Sequence, residues 1–198
     1  MRIAVFSDVH ADQESLELAL GRIQAMSCDV TICLGDVVDS GSNPNEVVRL
    51  LRDRQIPTIR GNHDRWAAKE RSSALSEDVR EWLTRLPTHW RMSAEGLTLA
   101  AWHARPGSDM NGIPRGFATP DLQIVARRSG ADVLFVGHTH EPFCRRVIGG
   151  WMVANPGSLL RVNNPAGVPT SATFATLDLP SLRFKVFRVV DGSEVDLH

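Results

Sequence analysis

Apolar runs and helical patterns alternate over the first third of the chain. Apolar residues at 2–7, 30–34 and 56–59 predict short buried β-strands. The segments between them have apolar residues at helical spacing. One follows the N-cap candidate Asp12, and one begins at Pro44, a favourable first residue of a helix. Strands that alternate with helices in this way predict a parallel, mostly buried sheet.

The pattern changes beyond this point, with residues 65–73 left open. The elements predicted in chain order are a charged helical region at 66–86 with Ser76 as a cap, a hairpin of strands at 89–93 and 97–102, a loop at 104–119, a helix at 121–129, and strands at 133–136, 143–148, 151–154, 171–177 and 183–190. We expect the strands of the tail to pair antiparallel. Together these elements predict an α/β fold, a four-layer αββα sandwich of two mixed β-sheets flanked by helices.

The composition is compatible with one domain over residues 1–198. The chain is 42% hydrophobic and has a formal net charge of -1, which argues against a dedicated nucleic-acid binder but allows small phosphate esters as substrates. The first apolar run is too short for a signal peptide and no run approaches a membrane span, so we predict a cytoplasmic protein. Three cysteines without CxxC spacing indicate neither a disulfide framework nor a thiolate zinc site.

Side chains that can bind a metal ion directly follow five of the predicted strands. They are Asp8 and His10, Asp36, Asn62 and His63, His103, and His138 and His140. Five of the seven histidines of the chain belong to this set, so chance is a poor explanation. Strands of one sheet bring the residues at their carboxyl ends to one rim, where open α/β sheets bind ligands. We therefore expect these side chains to meet.

These residue types suit divalent transition ions. Imidazole and carboxylate groups are their usual ligands, and two-metal sites hold the ions roughly 3.5–4 Å apart, usually with a shared carboxylate. The i, i+2 spacing within Asp8-Val9-His10 and His138-Thr139-His140 points two side chains the same way on an extended segment. Each cluster alone has a structural alternative, such as a hydrogen-bonded turn at Asp36 or a structural histidine at His103. Their repetition favours a metal centre.

The complete set of motifs resembles that of the calcineurin-like metallophosphoesterases, in particular the small single-domain bacterial and archaeal members. The resemblance rests on Asp8-Val9-His10, Gly35-Asp36-Val37-Val38-Asp39, Gly61-Asn62-His63-Asp64, His103 and Gly137-His138-Thr139-His140, in this order. It covers roughly residues 1–160. The full set is far more specific than any single motif. It implies the metallophosphoesterase fold and a hydrolase that acts on phosphate esters.

The resemblance also implies a role for each residue. It assigns two divalent transition ions to each chain, Mn²⁺ foremost, with Fe, Ni or Zn as alternatives. The ligands of one ion would be Asp8, His10 and His140, those of the other would be Asn62, His103 and His138, and Asp36 would bridge the two. A hydroxide between the ions would attack phosphorus. His63 would protonate the departing oxygen, and Asp39 would orient His63.

Two departures from the family pattern bear on the substrate. Ser40 stands where the phosphoprotein phosphatases of the family carry a phosphate-binding arginine, and Ala104 stands where the family often has glycine. A monoester dianion requires more positive charge around phosphorus than a diester monoanion does, so we predict a phosphodiesterase. A phosphoprotein (Ser/Thr) phosphatase and a dinucleoside polyphosphate hydrolase remain alternatives. A metal-binding scaffold for protein contacts, as in the retromer complex, is the non-enzymatic alternative.

Two further segments have candidate roles. The loop at 104–116 carries Arg105 and Arg115, which are candidates to bind phosphate oxygens because a planar guanidinium matches their geometry. Solvated loop charge is the alternative for either arginine. The segment Asn155-Pro156-Gly157-Ser158 resembles one that the small members share after the last metal motif. A β-turn that closes a strand explains it equally well.

Overall fold

The computed structural model describes residues 1–70, 74–161 and 172–197. The strands in this part of the chain are β1 (Arg2–Phe6), β2 (Val30–Cys33), β3 (His89–Ala94), β4 (Leu97–Trp102), β5 (Val133–Phe135), β6 (Phe143–Arg146), β7 (Met152–Asn155), β8 (Thr173–Asp178), β9 (Arg183–Arg188) and β10 (Glu194–Val195). The helices are α1 (Gln13–Ala25), α2 (Pro44–Asp53), α3 (Asn62–Lys69), α4 (Glu77–Arg85) and α5 (Thr119–Ser129).

These strands form two mixed sheets of five strands each. The first has the order β10-β9-β8-β1-β2, in which β1 and β2 are parallel and the pairs β1–β8, β8–β9 and β9–β10 are antiparallel. The second has the order β3-β4-β5-β7-β6, in which β5 is parallel to both of its neighbours and the two edge strands are antiparallel. Each sheet therefore contains adjacent parallel strands whose carboxyl ends lie at one edge.

Alternate residues of β1 belong to two different cores, as the period of a strand requires. Ile3 and Val5 lie in the core between the sheets, with Ile32, Leu34, Leu99, Val133, Phe135, Met152 and Leu177. Ala4 and Phe6 lie in the core between the first sheet and its helices, with Leu16, Leu20, Val47, Leu51, Val79, Leu83 and Phe174. Both faces of this strand are buried, which explains its continuous apolar sequence.

A third core covers the outer face of the second sheet. Leu134, Val136 and Val153 pack there against Leu122, Val125 and Ala126 of α5. The order of layers is therefore helices, sheet, sheet, helix, and the predicted αββα sandwich is confirmed. Burial of each such side chain contributes about 1.5–3 kcal/mol to folding.

The helix ends follow from local sequence. Asp12 caps α1 by accepting a 3.0 Å hydrogen bond from the backbone N–H of Ser15. Pro44 is the first residue of α2, and Gly130 ends α5 in the left-handed conformation with a φ of 62°. Among the helices of the described residues, none is both long enough and apolar enough to cross a membrane.

One prediction of local structure was wrong, and two were incomplete. Residues 56–59 form a single parallel bridge between Thr58 and Cys33 instead of a strand, because Pro57 cannot donate to a continuous ladder. The charged region at 66–86 is helical as predicted, with Ser76 as the N-cap residue of α4, but it contains two helices, and the first of them, α3, begins earlier, at Asn62. The pairs β6–β7 and β8–β9 of the tail are antiparallel as predicted, but β7 also pairs parallel with β5, a strand before the tail. Of the predicted strand at 171–177, residue 171 lies outside the described residues.

Candidate metal centre

The candidate ligands lie at a rim that both sheets share. Asp8 and Asp36 follow β1 and β2 of the first sheet, whereas His103 and His138 follow β4 and β5 of the second. The expectation that one sheet presents all of them was therefore wrong. The sheets pack face to face, so the carboxyl ends of their parallel strands come together. A 3.0 Å hydrogen bond from the backbone N–H of His138 to Oδ2 of Asp8 joins the two sides.

The first cluster consists of Asp8, His10 and His140, whose donor atoms lie within 4.8 Å of one another. Nε2 of His140 is 3.3 Å from Oδ1 of Asp8 and 3.2 Å from Nε2 of His10. Oδ1 of Asp8 is buried and has no hydrogen-bond partner among the described residues. A buried carboxylate oxygen without a hydrogen bond is costly unless a cation compensates it. The three side chains therefore fit a divalent ion.

The second cluster consists of Asp36, His103 and His138, and Asn62 lies inside it. Oδ1 of Asn62 is 3.1 Å from Nε2 of His103 and 3.0 Å from Nδ1 of His138. Oδ2 of Asp36 is 3.1 Å from Nε2 of His103. The other ring nitrogen of His103 lies 2.8 Å from the carbonyl oxygen of Leu34, a contact typical of metal-binding histidines. This donor set also fits a divalent ion.

Left-handed backbone conformations, rather than extended segments, set the direction of most of the candidate ligand side chains. Five of the candidate ligands have φ between 50° and 67°: Asp8, His10, Asp36, His138 and His140. Such conformations cost non-glycine residues free energy and concentrate at functional sites. The explanation from extended i, i+2 spacing was therefore wrong. His138 and His140 diverge into different clusters, whereas Asp8 and His10 join the same one.

Two glycines let the loops approach closely. A Cβ at Gly61 would collide with the carboxylate of Asp36, and a Cβ at Gly137 would collide with the hydroxyl of Ser7. Both glycines directly precede a candidate ligand, Asn62 and His138. Side chains at these two positions would separate the ligands from the opposite loop.

The protonation of the cluster is compatible with metal binding. Burial lowers the pKa of His10 and of His138, which favours the neutral imidazole that binds metals. Burial raises the pKa of Asp8, but the close contact of its carboxylate with the ring of His140 and the charge of His103 outweigh it and hold the pKa at about 2. Burial lowers the pKa of His103, but its ion pair with Asp36 outweighs that effect and raises the pKa to about 9. A metal ion at His103 must therefore displace a proton.

His63 lies beside the first cluster. Its Nδ1 is 2.6 Å from Oδ2 of Asp39, and its backbone N–H donates a 2.9 Å hydrogen bond to Oδ1 of Asp36. Its ring centroid is 5.0 Å from that of His10 and 4.9 Å from that of Trp66. Partial burial raises the pKa of Asp39, but the hydrogen bond with His63 outweighs it, so the pKa of the carboxyl is lowered. Asp39 therefore faces His63 as a carboxylate, and Nε2 of His63 is the ring nitrogen left for a substrate.

The segment from Asn155 to Ser158 makes hydrogen bonds to the loop after β1, which contains Asp8, and to the loop after β5, which contains His138 and His140. Nδ2 of Asn155 donates to the carbonyl oxygen of Gly137 at 3.0 Å and to Oγ1 of Thr139 at 3.1 Å. Oγ of Ser158 donates to the carbonyl oxygen of Asp8 at 2.9 Å. The bonds to Gly137 and Asp8 are buried, and all three hold the backbone next to the candidate ligands. A positioning role thus adds to the β-turn explanation of this segment.

Asp64 belongs to the motif Gly61-Asn62-His63-Asp64, but neither its residue type nor the family resemblance assigned it a role. This buried carboxylate accepts hydrogen bonds from the backbone N–H groups of Val37 and Gly61, which lie next to the candidate ligands Asp36 and Asn62. An acidic residue at the third position of a helix is a sequence signal for bonding to the N-cap backbone, here Gly61. The additional bond to a distant loop has no sequence signal.

The two arginines predicted to bind phosphate have other contacts. Nη2 of Arg115 donates a 2.7 Å hydrogen bond to the carbonyl oxygen of Leu197. Arg105 lines a cavity with Asp121 and Arg128, next to α5. Their contact with a substrate stays a prediction. Other arginines, Arg60 and Arg65, line a cavity that His103 also lines.

Comparison with known proteins agrees with this geometry. The sequence model of the calcineurin-like phosphoesterase superfamily domain matches residues 1–181. The uncharacterized protein MJ0912 of Methanocaldococcus jannaschii is 27% identical over 219 aligned positions, which cover 94% of this chain and 86% of that protein.

Two solved structures share the fold. A metallophosphoesterase from Sphaerobacter thermophilus has a TM-score of 0.76 at 23% identity, covering 100% of this chain and 89% of the other. The hypothetical protein PH1004 from Pyrococcus horikoshii has a TM-score of 0.82 at 18% identity, covering 94% of this chain and 87% of the other. The identity of both is low, so they establish the architecture alone.

Proposed function

The chain belongs to the calcineurin-like phosphoesterase superfamily, and on that premise we propose that it is a phosphodiesterase that uses two divalent ions per chain. One observation carries the proposal. Two clusters of metal donors lie side by side, and the His63–Asp39 pair lies at their edge with a 2.6 Å hydrogen bond. A scaffold that only binds metal has no need of that pair.

The residues present can hold both ions. Asp8, His10 and His140 would hold one, Asn62, His103 and His138 would hold the other, and Asp36 would serve both. Two ions bound there supply a nucleophile that is active at neutral pH and stabilise negative charge on the phosphoryl oxygens. We propose Mn²⁺, because carboxylate and amide oxygens accompany the imidazoles, with Fe, Ni and Zn as the competing ions.

His63 supplies the proton that the leaving oxygen needs. Its Nδ1 is held by Asp39, so Nε2 is directed to the substrate and can donate. Asp36 of the second cluster accepts the backbone N–H of His63 and thereby fixes the position of this histidine, whose ring lies beside His10 of the first cluster. Trp66 packs edge-on against the other side of the ring and restricts its rotation. The chain thus holds a proton donor at a fixed place beside the donor clusters.

The charge around the site supports a diester substrate. A monoester is largely a dianion at neutral pH, because the second pKa of a phosphate ester is about 6, whereas a diester is a monoanion. Ser40 follows Asp39 and contributes no positive charge. Of the two predicted phosphate-binding arginines, Arg115 donates a hydrogen bond to the carbonyl oxygen of Leu197, and Arg105 lines a cavity beside α5. A small phosphodiester is therefore the substrate that we propose.

The test compares two chromogenic esters on one metal-loaded sample. We expect a higher kcat/KM for bis(4-nitrophenyl) phosphate than for 4-nitrophenyl phosphate, with Mn²⁺ more active than Fe, Ni or Zn after separate reloading. The Asp36→Asn variant, prepared in the same way, excludes a contaminating esterase. A preference for the monoester overturns the diester assignment. Absence of turnover with both esters, in protein that holds two ions, overturns the enzymatic function and leaves the scaffold.

A further inference from the structure

A cavity of about 340 Å³ lies next to the second donor cluster. It is lined by Arg60, Arg65, Thr88, Trp102, His103, Gly107, Ser108 and Asp109. The ring of Trp102 stacks on that of His89 at a centroid distance of 5.3 Å, which stabilises this wall. Its size is typical of pockets for small ligands. The cavity shares His103 with the candidate metal centre, so a ligand in it would lie next to the reacting group.

The cavity has an excess of positive charge. Arg65 is paired with Asp109 through two contacts, 2.6 Å from Nε and 3.2 Å from Nη2. The guanidinium of Arg60 has neither an ion pair nor a hydrogen bond among the described residues, and its Nε is buried. A buried charged donor without a partner costs free energy. An oxyanion in the cavity would remove that cost.

The backbone around Arg60 is fixed. Its N–H donates a 2.7 Å hydrogen bond to the carbonyl oxygen of Pro87, and Gly61 and Asn62 follow directly. Arg60 therefore has a fixed backbone only two residues before the candidate metal ligand Asn62. His63 does not line this cavity and lies against His10 of the first cluster. With the leaving oxygen at His63, the cavity is on the side of the group that stays on phosphorus.

We propose that this cavity binds a second phosphate of the substrate and that Arg60 is the residue that binds it. The substrate class is a phosphodiester whose retained ester group carries another phosphate. A planar guanidinium binds two phosphate oxygens at once, and Thr88 and Ser108 line the same space. This inference rests on the proposed function, because it places the second phosphate relative to the scissile one.

The kinetic test uses two substrates that differ only in the second phosphate. They are thymidine 5′-(4-nitrophenyl phosphate) and the same compound with a 3′-phosphate. We expect the phosphorylated compound to have a kcat/KM roughly tenfold higher or more, through a lower KM, which is the size of one charge-assisted hydrogen bond. Arg60→Ala and Arg60→Gln should reduce the ratio to near one, and Arg60→Lys should keep part of it. The control is Arg128→Ala, an exposed arginine next to another cavity, which should keep the ratio.

Two kinetic outcomes overturn the proposal: a parent ratio at or below one, or an unchanged ratio in Arg60→Gln protein with the parent's melting temperature. A calorimetric titration of thymidine 3′,5′-bisphosphate and thymidine 5′-phosphate separates this proposal from the proposed function. Tighter binding of the bisphosphate that depends on Arg60 supports the cavity even where neither ester is hydrolysed. Equal binding of the two nucleotides rejects it.

Discussion

Oδ1 of Asp64 accepts a 2.8 Å hydrogen bond from the backbone N–H of Val37, the residue after the candidate ligand Asp36. Its Oδ2 accepts a 2.9 Å bond from Gly61, the residue before the candidate ligand Asn62. One buried carboxylate therefore sets the distance between two metal loops. Burial, followed by the charge of Asp36, raises the pKa of Asp64 to about 6.

Substitution Asp64→Asn should weaken metal binding, although Asp64 lies outside both donor clusters. The amide NH₂ of asparagine cannot accept a backbone N–H, so one of the two loops loses its anchor. We expect the metal affinity to fall by roughly 10–100-fold, the range found for residues that orient metal ligands. Calorimetric titration with Mn²⁺ measures it. Asp53→Asn at the end of α2 is the control, and an unchanged affinity in folded Asp64→Asn protein would refute the role.

The folded chain should bind two transition ions, and Asp36→Asn should reduce both. Asp36 contacts His103 of one cluster, and its other oxygen accepts the N–H of His63 beside the other cluster. Elemental analysis of reloaded and dialysed protein measures the stoichiometry. Asp39→Asn, which removes a nearby carboxylate outside the clusters, should keep both ions. A parent stoichiometry of one or less, or full occupancy in Asp36→Asn, contradicts the two-ion centre.

Substitution His63→Ala should retain the metal ions and lose turnover by roughly 10²–10⁴-fold, as expected for a general acid. The loss should be smallest for esters with an acidic leaving group such as nitrophenol, because these need the proton least. Asp39→Asn should lose less, since it disturbs only the orientation of the ring. Steady-state kinetics over a series of leaving groups checks the trend. Equal losses on nitrophenyl and alkyl esters would exclude His63 as the acid.

Asp12 should stabilise the fold through two kinds of contact. It caps α1 and receives two 2.9 Å hydrogen bonds from the guanidinium of Arg161. Asp12→Ala should lower the free energy of unfolding of the metal-free protein by about 1–2 kcal/mol at neutral pH. Asp12→Asn, which retains a capping oxygen, should lose less. Urea unfolding measures both, and equal losses in the two variants would show that the cap contributes nothing.

The contribution of the charge should depend on pH. Burial raises the pKa of Asp12, but the hydrogen bonds from Arg161 and Ser15 outweigh it and lower the pKa below its ordinary value. A carboxyl with a lowered pKa stabilises the fold above its unfolded pKa, about 3.9, and this stabilisation disappears as the pH falls through the folded pKa. The stability difference between the parent and Asp12→Asn should thus be constant near neutrality and shrink below about pH 4. A difference that grows on acidification would refute this assignment.

Local sequence patterns were sufficient to predict most of the layers of the fold. The continuous apolar run of β1 requires burial on both faces. The helices predicted from the apolar spacing that follows it cover one of these faces. Pro44 and Gly130 mark helix ends because their backbone restrictions act within a few residues. The features that local patterns did not predict are contacts between segments far apart in the sequence. Pairing of β7 with β5 depends on which edge is free after the chain has folded, and no local pattern encodes that choice.

The sequence by itself determined which residues can bind metal, because donor side chains directly follow apolar strands and their chemical type is independent of the fold. Only the tertiary structure decided how they combine. Left-handed turns, whose strain the surrounding packing compensates, send His138 and His140 into different clusters. Contacts with distant segments direct Arg115 to Leu197 and leave Arg60 unpaired among the described residues. The direction of a long side chain depends on whatever carboxylate or carbonyl lies within reach, and that is a property of three-dimensional packing.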